Sequence, residues 1–361
     1  EKRSYFWKPG FSRCLFSLTL FFEMKRLFSN VINLTLILIV GVALSGCTVS
    51  NASMGSSSPW SIVDLDTEAN PLDADFVDDK NGFLVGTNRL ILETNDGGIT
   101  WKERNLDIPS EGNFRLISVD FKGQEGWIAG QPGLILHTTD GGKNWTRLDL
   151  GNKLPGDPYL ITTIDNDSAE LATTAGAIYK TTDAGTNWEA IVVDTSGSGG
   201  IRELRRTNDG GYISVSSLGN FFSVLTPGDE TWSPHQRASS KRVQSVGEQP
   251  NGDLWMLSRG AEIRFNADPD DIDAWSKPII PIVNGYNYQD LVWDPTDSIW
   301  AAGGNGTLLV SNDDGKTWEK DPVGESVPTN FIRILFVDNF NSDSPKGFVF
   351  GERGNLLRWQ G

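Results

Sequence analysis

Cysteine and histidine are scarce in this 361-residue chain, two of each, and that scarcity removes whole classes of chemistry. Cys14 and Cys47 both precede the globular part, so neither a disulfide framework nor a cysteine-based metal site is available to it. His137 and His235 leave little for a histidine-rich metal site. Catalytic signatures are missing too: there is no Gly-x-Ser-x-Gly elbow, no phosphate-cradling glycine loop and no zinc-type histidine spacing. Gly197-Ser198-Gly199-Gly200 is glycine-rich, but no helix follows to cap a phosphate, so it reads as a loop between elements. No catalytic residue, metal or cofactor is expected. Positive charge is also in deficit, with 31 Lys and Arg against 47 Asp and Glu, a net of −16. A general nucleic-acid binder needs a basic face, so that class is set aside.

Long apolar runs are confined to the N-terminus. Met24-Lys25-Arg26 opens a short basic region, Val31 to Leu44 is apolar, and Leu44-Ser45-Gly46-Cys47 ends it on small residues. This is the build of a secretory signal. Its last four residues resemble the lipobox of bacterial lipoproteins, which implies acylation of Cys47 and cleavage of the bond before it. An ordinary signal peptide, or a membrane anchor that contains a cysteine, is the alternative. Several acyl chains on one cysteine would anchor stably where a single chain binds only marginally.

The expected organisation is therefore an upstream translated extension (1–23), a lipoprotein signal peptide (24–46), a polar tether (47–59) and a folded body (60–361). Residues 1–46 hold six of the 31 basic residues and two of the 47 acidic ones, so the chain from Cys47 onward stands at −20.

Glycine (39) and tryptophan (13) are plentiful, which suits many short strands joined by tight turns. Tryptophan falls at 60, 101, 145, 188, 232, 275 and 318, at intervals of 41 to 44. A fixed period in the forties with strand-like segments marks a β-propeller. The stretch 114–150 shows the unit: Phe114 to Val119, Gly126 to Gly130, Leu134 to Thr138 and Asn144 to Leu148, four short strands separated by turn residues. One period beyond Trp318 falls on the final residue, so the last unit lacks its outer strand, while Trp60-Ser61-Ile62-Val63-Asp64-Leu65 is a strand with no unit before it. The two deficits complete each other beside Leu356-Leu357-Arg358-Trp359. The predicted fold is all-β, a seven-bladed propeller closed by the N-terminal strand.

The turn before the repeat tryptophan is patterned as well. Thr94-x-Asp96-x-Gly98-x-Thr100-Trp101 recurs at Thr138/Asp140/Gly142/Trp145, Thr181/Asp183/Gly185/Trp188 and Ser311/Asp313/Gly315/Trp318. These turns resemble the Asp-boxes of sialidase-like propellers. The aspartate caps turn N–H groups, the glycine takes a conformation other residues resist, and the tryptophan packs between blades. The role is structural, not catalytic.

The pattern breaks before Trp232 and Trp275, where the turns read Thr226 to Thr231 and Asp268 to Asp273. The charge changes in the same stretch. Residues 199–265 carry Arg202, Arg205, Arg206, Arg237, Lys241, Arg242, Arg259 and Arg264 against seven acids, a local net of +1 in a body of −20. Arginine captures carboxylates with a planar fork, so these eight are the candidate partner-binding residues, with independent surface salt bridges as the bland alternative.

Within this stretch, Trp232 to Gln244 and Leu254 to Gly260 resemble the most characteristic segments of the photosystem II stability and assembly factor family, and the likeness extends over the whole chain after the tether. The resemblance implies a non-enzymatic scaffold-type chaperone on the lumenal side of the thylakoid membrane. Its partners would be a newly made or damaged reaction-centre core protein of photosystem II and early assembly intermediates, engaged through an arginine patch. Lys241 stands where some relatives carry Arg. Two other functions stay open: a generic envelope lipoprotein scaffold, and an Asp-box glycosidase. The latter would need six blades and a Tyr–Glu pair facing an arginine cluster, and no such pair is evident.

Overall fold

Each repeat unit folds into one antiparallel sheet in the computed structural model, which describes residues 58–106, 108, 113–150, 154–281, 286–337 and 345–361. The extension, the signal segment, Cys47 and most of the tether lie outside the described residues. Blades one to four span 71–103, 115–149, 158–192 and 201–236, each four strands in sequence order from the axis outward. Blade five (243–265) has three strands and blade six (288–320) four. Blade seven joins Phe331–Val337, Lys346–Gly351 and Asn355–Trp359 to the N-terminal strand Trp60–Asp64 as its outermost member. The register pairs Trp60 with Trp359 and Asp64 with Asn355. The Gln360 N–H also donates to Pro59 O at 2.8 Å, so the seal begins one residue before the expected boundary.

Blade five departs from the expected four strands for a local reason. Pro278 and Pro281 flank Ile279 and cannot donate to a ladder. The segment therefore touches the blade through single bridges, Asn266 with Trp275 and Ile263 with Ile279.

Packing happens at the seams. The second strand of a blade is covered on both faces, as in Gly82–Gly86 and Ile299–Gly303, where every residue is buried. Such strands read as unbroken apolar runs and not as alternating ones. The buried side chains gather into seven clusters, one per blade junction. The repeat tryptophans lie across these junctions: Trp145 meets Phe83 of blade one and Phe121 of blade two edge-on at 5.6 and 5.8 Å, and Trp275 meets Phe222 of blade four at 5.7 Å.

The Asp-box turns are built as expected. Thr94 Oγ1 donates to Asp96 Oδ1 at 2.8 Å and accepts from the Gly98 N–H at 3.0 Å, while the Thr100 N–H donates to Asp96 Oδ1 at 2.9 Å. Gly98 has φ +82°, and a Cβ there would meet the Phe348 ring at 2.6 Å, so glycine is required twice over. Bonds from Asn144 and Thr138 hold Asp140 down at about 2, and bonds from Thr317 and Ser311 do the same for Asp313.

A belt of polar side chains ties the inner strands together. Asp73 accepts from the Val119 N–H (3.1 Å) and pairs with Arg333 (2.8 Å), Asp75 accepts from the Phe121 N–H (2.6 Å), and Asp120 accepts from the Thr163 N–H (2.6 Å). Burial raises Asp73, and burial with the Asp120 carboxylate beside it raises Asp75 well above the ordinary value. Asp120, partly open to the channel but walled by protein, is pushed by burial to about 6.

A carboxyl that protonates more easily folded than unfolded binds more protons in the native state, so stability falls as pH rises from its unfolded toward its folded value. The propeller is therefore expected to lose melting temperature between about pH 4 and 6. Below about pH 4 the low-lying Asp-box carboxyls reverse the trend, because their contribution disappears as they protonate. Scanning calorimetry from pH 3 to 8 checks this, with Asp120→Asn flattening the upper limb; a melting temperature that climbs steadily to pH 7 contradicts it.

Candidate functional site

Strand direction decides which cations share a surface. Every inner strand runs from a first rim of the ring to a second, and antiparallel pairing brings the next strand back to the first. Arg202 lies near the start of the inner strand Ile201–Arg206, and Arg242 directly precedes the inner strand Val243–Glu248. Leu218 and Gly219 follow the returning strand Tyr212–Ser216, and Arg259 follows the returning strand Leu254–Ser258. All five therefore sit on the first rim, over the seam of blades four and five.

Hydrogen bonds position the guanidinium groups of Arg202 and Arg242 without neutralising them, and a backbone bond ties Arg259 beside them. Arg202 Nη1 donates to Val243 O at 3.0 Å, and its Nη2 bonds the Gln244 side chain. Arg242 Nε donates to Leu218 O at 2.6 Å, and the Arg259 N–H donates to Arg242 O at 2.9 Å. Burial lowers the Arg202 pKa, as do the neighbouring charges of Arg242 and Arg259, while Glu203 opposes them. Among the described residues no carboxylate lies within salt-bridge distance of Arg202, Arg242 or Arg259. Gly219, at φ +63°, lets the turn close here, because a Cβ would approach Val243 O to 2.6 Å and Arg202 Nη1 to 3.3 Å. Leu218 stands beside the three arginines, 64% exposed.

The other five sequence candidates are placed differently. Arg205 reaches inward to Glu203 (2.8 Å) and Asp290 (2.6 Å). Burial would lower its pKa, but those two carboxylates hold it above the ordinary arginine value. Arg206 ends its strand at the second rim, paired with Glu170 at 3.1 Å and lying over the Tyr212 ring. Lys241 is on the first rim but bonded to the buried Glu262 at 2.8 Å. Arg264 shares that carboxylate at 3.6 Å and donates to Ser276 O at 2.7 Å. Arg237 follows the outer strand of blade four, at the circumference. The eight are thus not one patch: three arginines without an acid partner among the described residues stand together, and four of the remainder are bound to acids.

Further cations share the first rim and were not singled out from sequence. Arg115 begins the inner strand of blade two, and Arg89 and Arg353 occupy the second-to-third-strand turns of blades one and seven. Reading the repeat at a fixed phase would have found them, since Arg259 occupies the equivalent turn of blade five. The second rim is the acidic one. Its inner hairpin turns carry Asp78, Asp79, Asp167, Asp209, Asp253 and Asp297, and the Asp-box turns open on the same side.

Comparison with known proteins agrees with this architecture. The family model described as "Photosynthesis system II assembly factor YCF48" matches residues 52–360. A protein of Prochlorococcus marinus (strain NATL2A) named photosystem II assembly lipoprotein Ycf48 is 95% identical over 338 residues, covering 94% of this chain and all of its own. A relative of the same name from Synechococcus sp. (strain CC9605) is 58% identical, covering 93% of this chain and 98% of its own. The solved structure of YCF48 bound to D1 peptide is 42% identical, with a TM-score of 0.78, covering 84% of this chain and 97% of its own. YCF48 from Cyanidioschyzon merolae is 36% identical, with a TM-score of 0.73 and coverages of 83% and 98%. A virginiamycin B lyase from Staphylococcus aureus has a TM-score of 0.63 at 14% identity, a likeness of fold alone.

Proposed function

This chain belongs to the photosystem II assembly factor family described as YCF48, and from that premise we propose that it is a non-enzymatic assembly factor that binds a photosystem II reaction-centre protein through the first rim of its propeller. The client is a precursor or newly made core protein, met in early assembly intermediates. A relative solved with D1 peptide supports this choice of client. The lipoprotein name of the relatives supports acylation at Cys47, which would hold the ring at the membrane, on the lumenal side of the thylakoid.

The observation that carries the reading is the arginine trio. Arg202, Arg242 and Arg259 converge on one seam of a strongly acidic ring, held by backbone and amide oxygens and not by carboxylates. Their charge is left for a ligand, and Leu218 offers an apolar contact at the same place. An acidic or carboxylate-bearing segment fits such a surface, and each charge-assisted bond is worth about 1.5–3 kcal/mol. Retention by these contacts, followed by displacement when later subunits arrive, needs no chemistry from the propeller.

The test is capture of early photosystem II intermediates from detergent-solubilised membranes by native protein and by the triple variant Arg202→Glu, Arg242→Glu, Arg259→Glu. Capture should fall at least tenfold while the melting temperature stays near the native value. Equal capture by both would move the contact elsewhere on the ring. Capture by neither would favour a general envelope scaffold with another client. Arg206→Glu is not a fair substitute, because it breaks the Glu170 pair on the opposite rim and tests folding instead.

A further inference from the structure

The seam of blades two and three holds a group of side chains that the docking rim leaves unused. Glu125 opens the second strand of blade two (Glu125–Gln131), His137 lies in its third strand (Leu134–Thr138), and Asp167 sits in the inner hairpin turn of blade three. They meet on the second rim, each offering one donor atom, all within 4.8 Å of one another. His137 Nε2 is 2.6 Å from Glu125 Oε1, and both residues are buried, at 6% and 4% exposure. The imidazole is stacked on Trp127 with ring centroids 3.9 Å apart, which fixes its plane. Asp167 is exposed, and its N–H donates to the same Glu125 oxygen at 3.1 Å, which brings its carboxylate to the pair.

Charge balance makes this group unusual. Among the described residues, Glu125 has only His137 as an ion-pair partner, and no lysine or arginine pairs with it or with Asp167. The buried Glu125 has the imidazole as its partner, and the exposed Asp167 carboxylate stands beside that pair with no cation of its own, which leaves the group with net negative charge for a cation to offset. Nor does the repeat demand it. The residue before the Asp-box hydroxyl is Glu93 in blade one, Lys180 in blade three and Val310 in blade six, so a histidine over an acid is particular to blade two.

We propose that Glu125, His137 and Asp167 form a binding site for a divalent transition-metal ion, with Zn²⁺ as the reference case. One imidazole nitrogen and two carboxylate oxygens are a donor set that zinc accepts, and the imidazole disfavours Mg²⁺ and Ca²⁺, which take oxygen ligands. Donors at about 2.0–2.2 Å in a tetrahedron stand about 3.3–3.6 Å apart. The Glu125–His137 contact need only open slightly, and the exposed Asp167 side chain need only swing inward. Coordination through Nε2 leaves the ring proton on Nδ1, so the ion takes the place of the proton between His137 and Glu125. A fourth position remains for water. With two ligands from blade two and one from blade three, the ion would clip the two sheets together.

Titration calorimetry of the full chain in detergent with ZnCl₂, read beside Asp167→Asn and His137→Gln, tests the site. One saturable equivalent is expected in the native protein, at least tenfold weaker in both variants, with a zinc-dependent rise in melting temperature that the variants lack. Co²⁺ should give visible absorption bands in the native chain that His137→Gln abolishes. Asp167 is exposed, so its amide variant keeps the fold and the comparison stays valid. No saturable binding at millimolar Zn²⁺, equal binding in native and Asp167→Asn protein, or Mg²⁺ competing on equal terms would each overturn the proposal. None of these results bears on the arginine rim, which is tested separately.

Discussion

Replacing Asp290 with alanine is expected to destabilise the ring by about 3 kcal/mol, the lower end of the range for stripping one partner from a buried ion pair. Asp290 is 1% exposed and has two duties. Its Oδ1 pairs with Arg205 at 2.6 Å, and its Oδ2 accepts the Ile334 N–H at 2.8 Å. The side chain therefore fastens blade six both to blade four and to blade seven. Alanine leaves the Arg205 guanidinium with Glu203 as its one acid partner, and leaves a buried N–H without an acceptor. The double variant Asp290→Ala, Arg205→Met should recover most of the charge cost but not the lost Ile334 bond. Urea unfolding of the native, single and double variants separates the two. If the single variant costs under about 1 kcal/mol, typical of an exposed pair, Arg205 does not depend on Asp290 as described.

Trp60→Ala should cost more still, about 3–5 kcal/mol for a buried tryptophan. Its ring is 2% exposed and meets Trp359 at 5.0 Å, Trp300 at 5.5 Å and Phe336 at 5.9 Å, so one truncation loosens blade seven and its seam with blade six together. Hydrogen exchange should quicken first in Trp60–Asp64 and Asn355–Trp359, ahead of the other blades. A uniform loss of protection around the ring would mean that closure is not the site of the weakness.

Blade number and closure were legible in the sequence because tryptophan keeps one phase of the repeat throughout, and the phase runs out on the last residue. The Asp-box turns were legible for a similar reason, since their hydrogen bonds are local and their residue types fixed. Blade five was less so. Its missing outer strand follows from Pro278 and Pro281, visible signals that the tryptophan period overrode. The arginines were the hardest part. Arg202, Arg205 and Arg206 are near neighbours in the chain, yet the inner strand carries them from one rim to the other, and burial beside Glu203, Asp290 and Glu170 claims two of the three. A window of sequence counts charge, whereas the fold sorts it by strand end and by partner. That is also why Arg89, Arg115 and Arg353, remote from the arginine-rich stretch, share its rim.

The ring is sealed by residues at the first and last strands of the propeller: Gln360 donates to Ser61 across 299 positions of sequence. The strand made first is thus the last to find its place. Until the final strand has emerged and met it, blade seven presents an open edge, and six finished blades form an arc and not a ring. Contacts of such long range close slowly, because the loop entropy is lost before the ladder forms. During that interval the unsealed edge is the part of the molecule most able to pair with a stranger. A propeller whose first strand pairs with its last must therefore wait for its trailing residues before it becomes the rigid body on which the cationic rim depends.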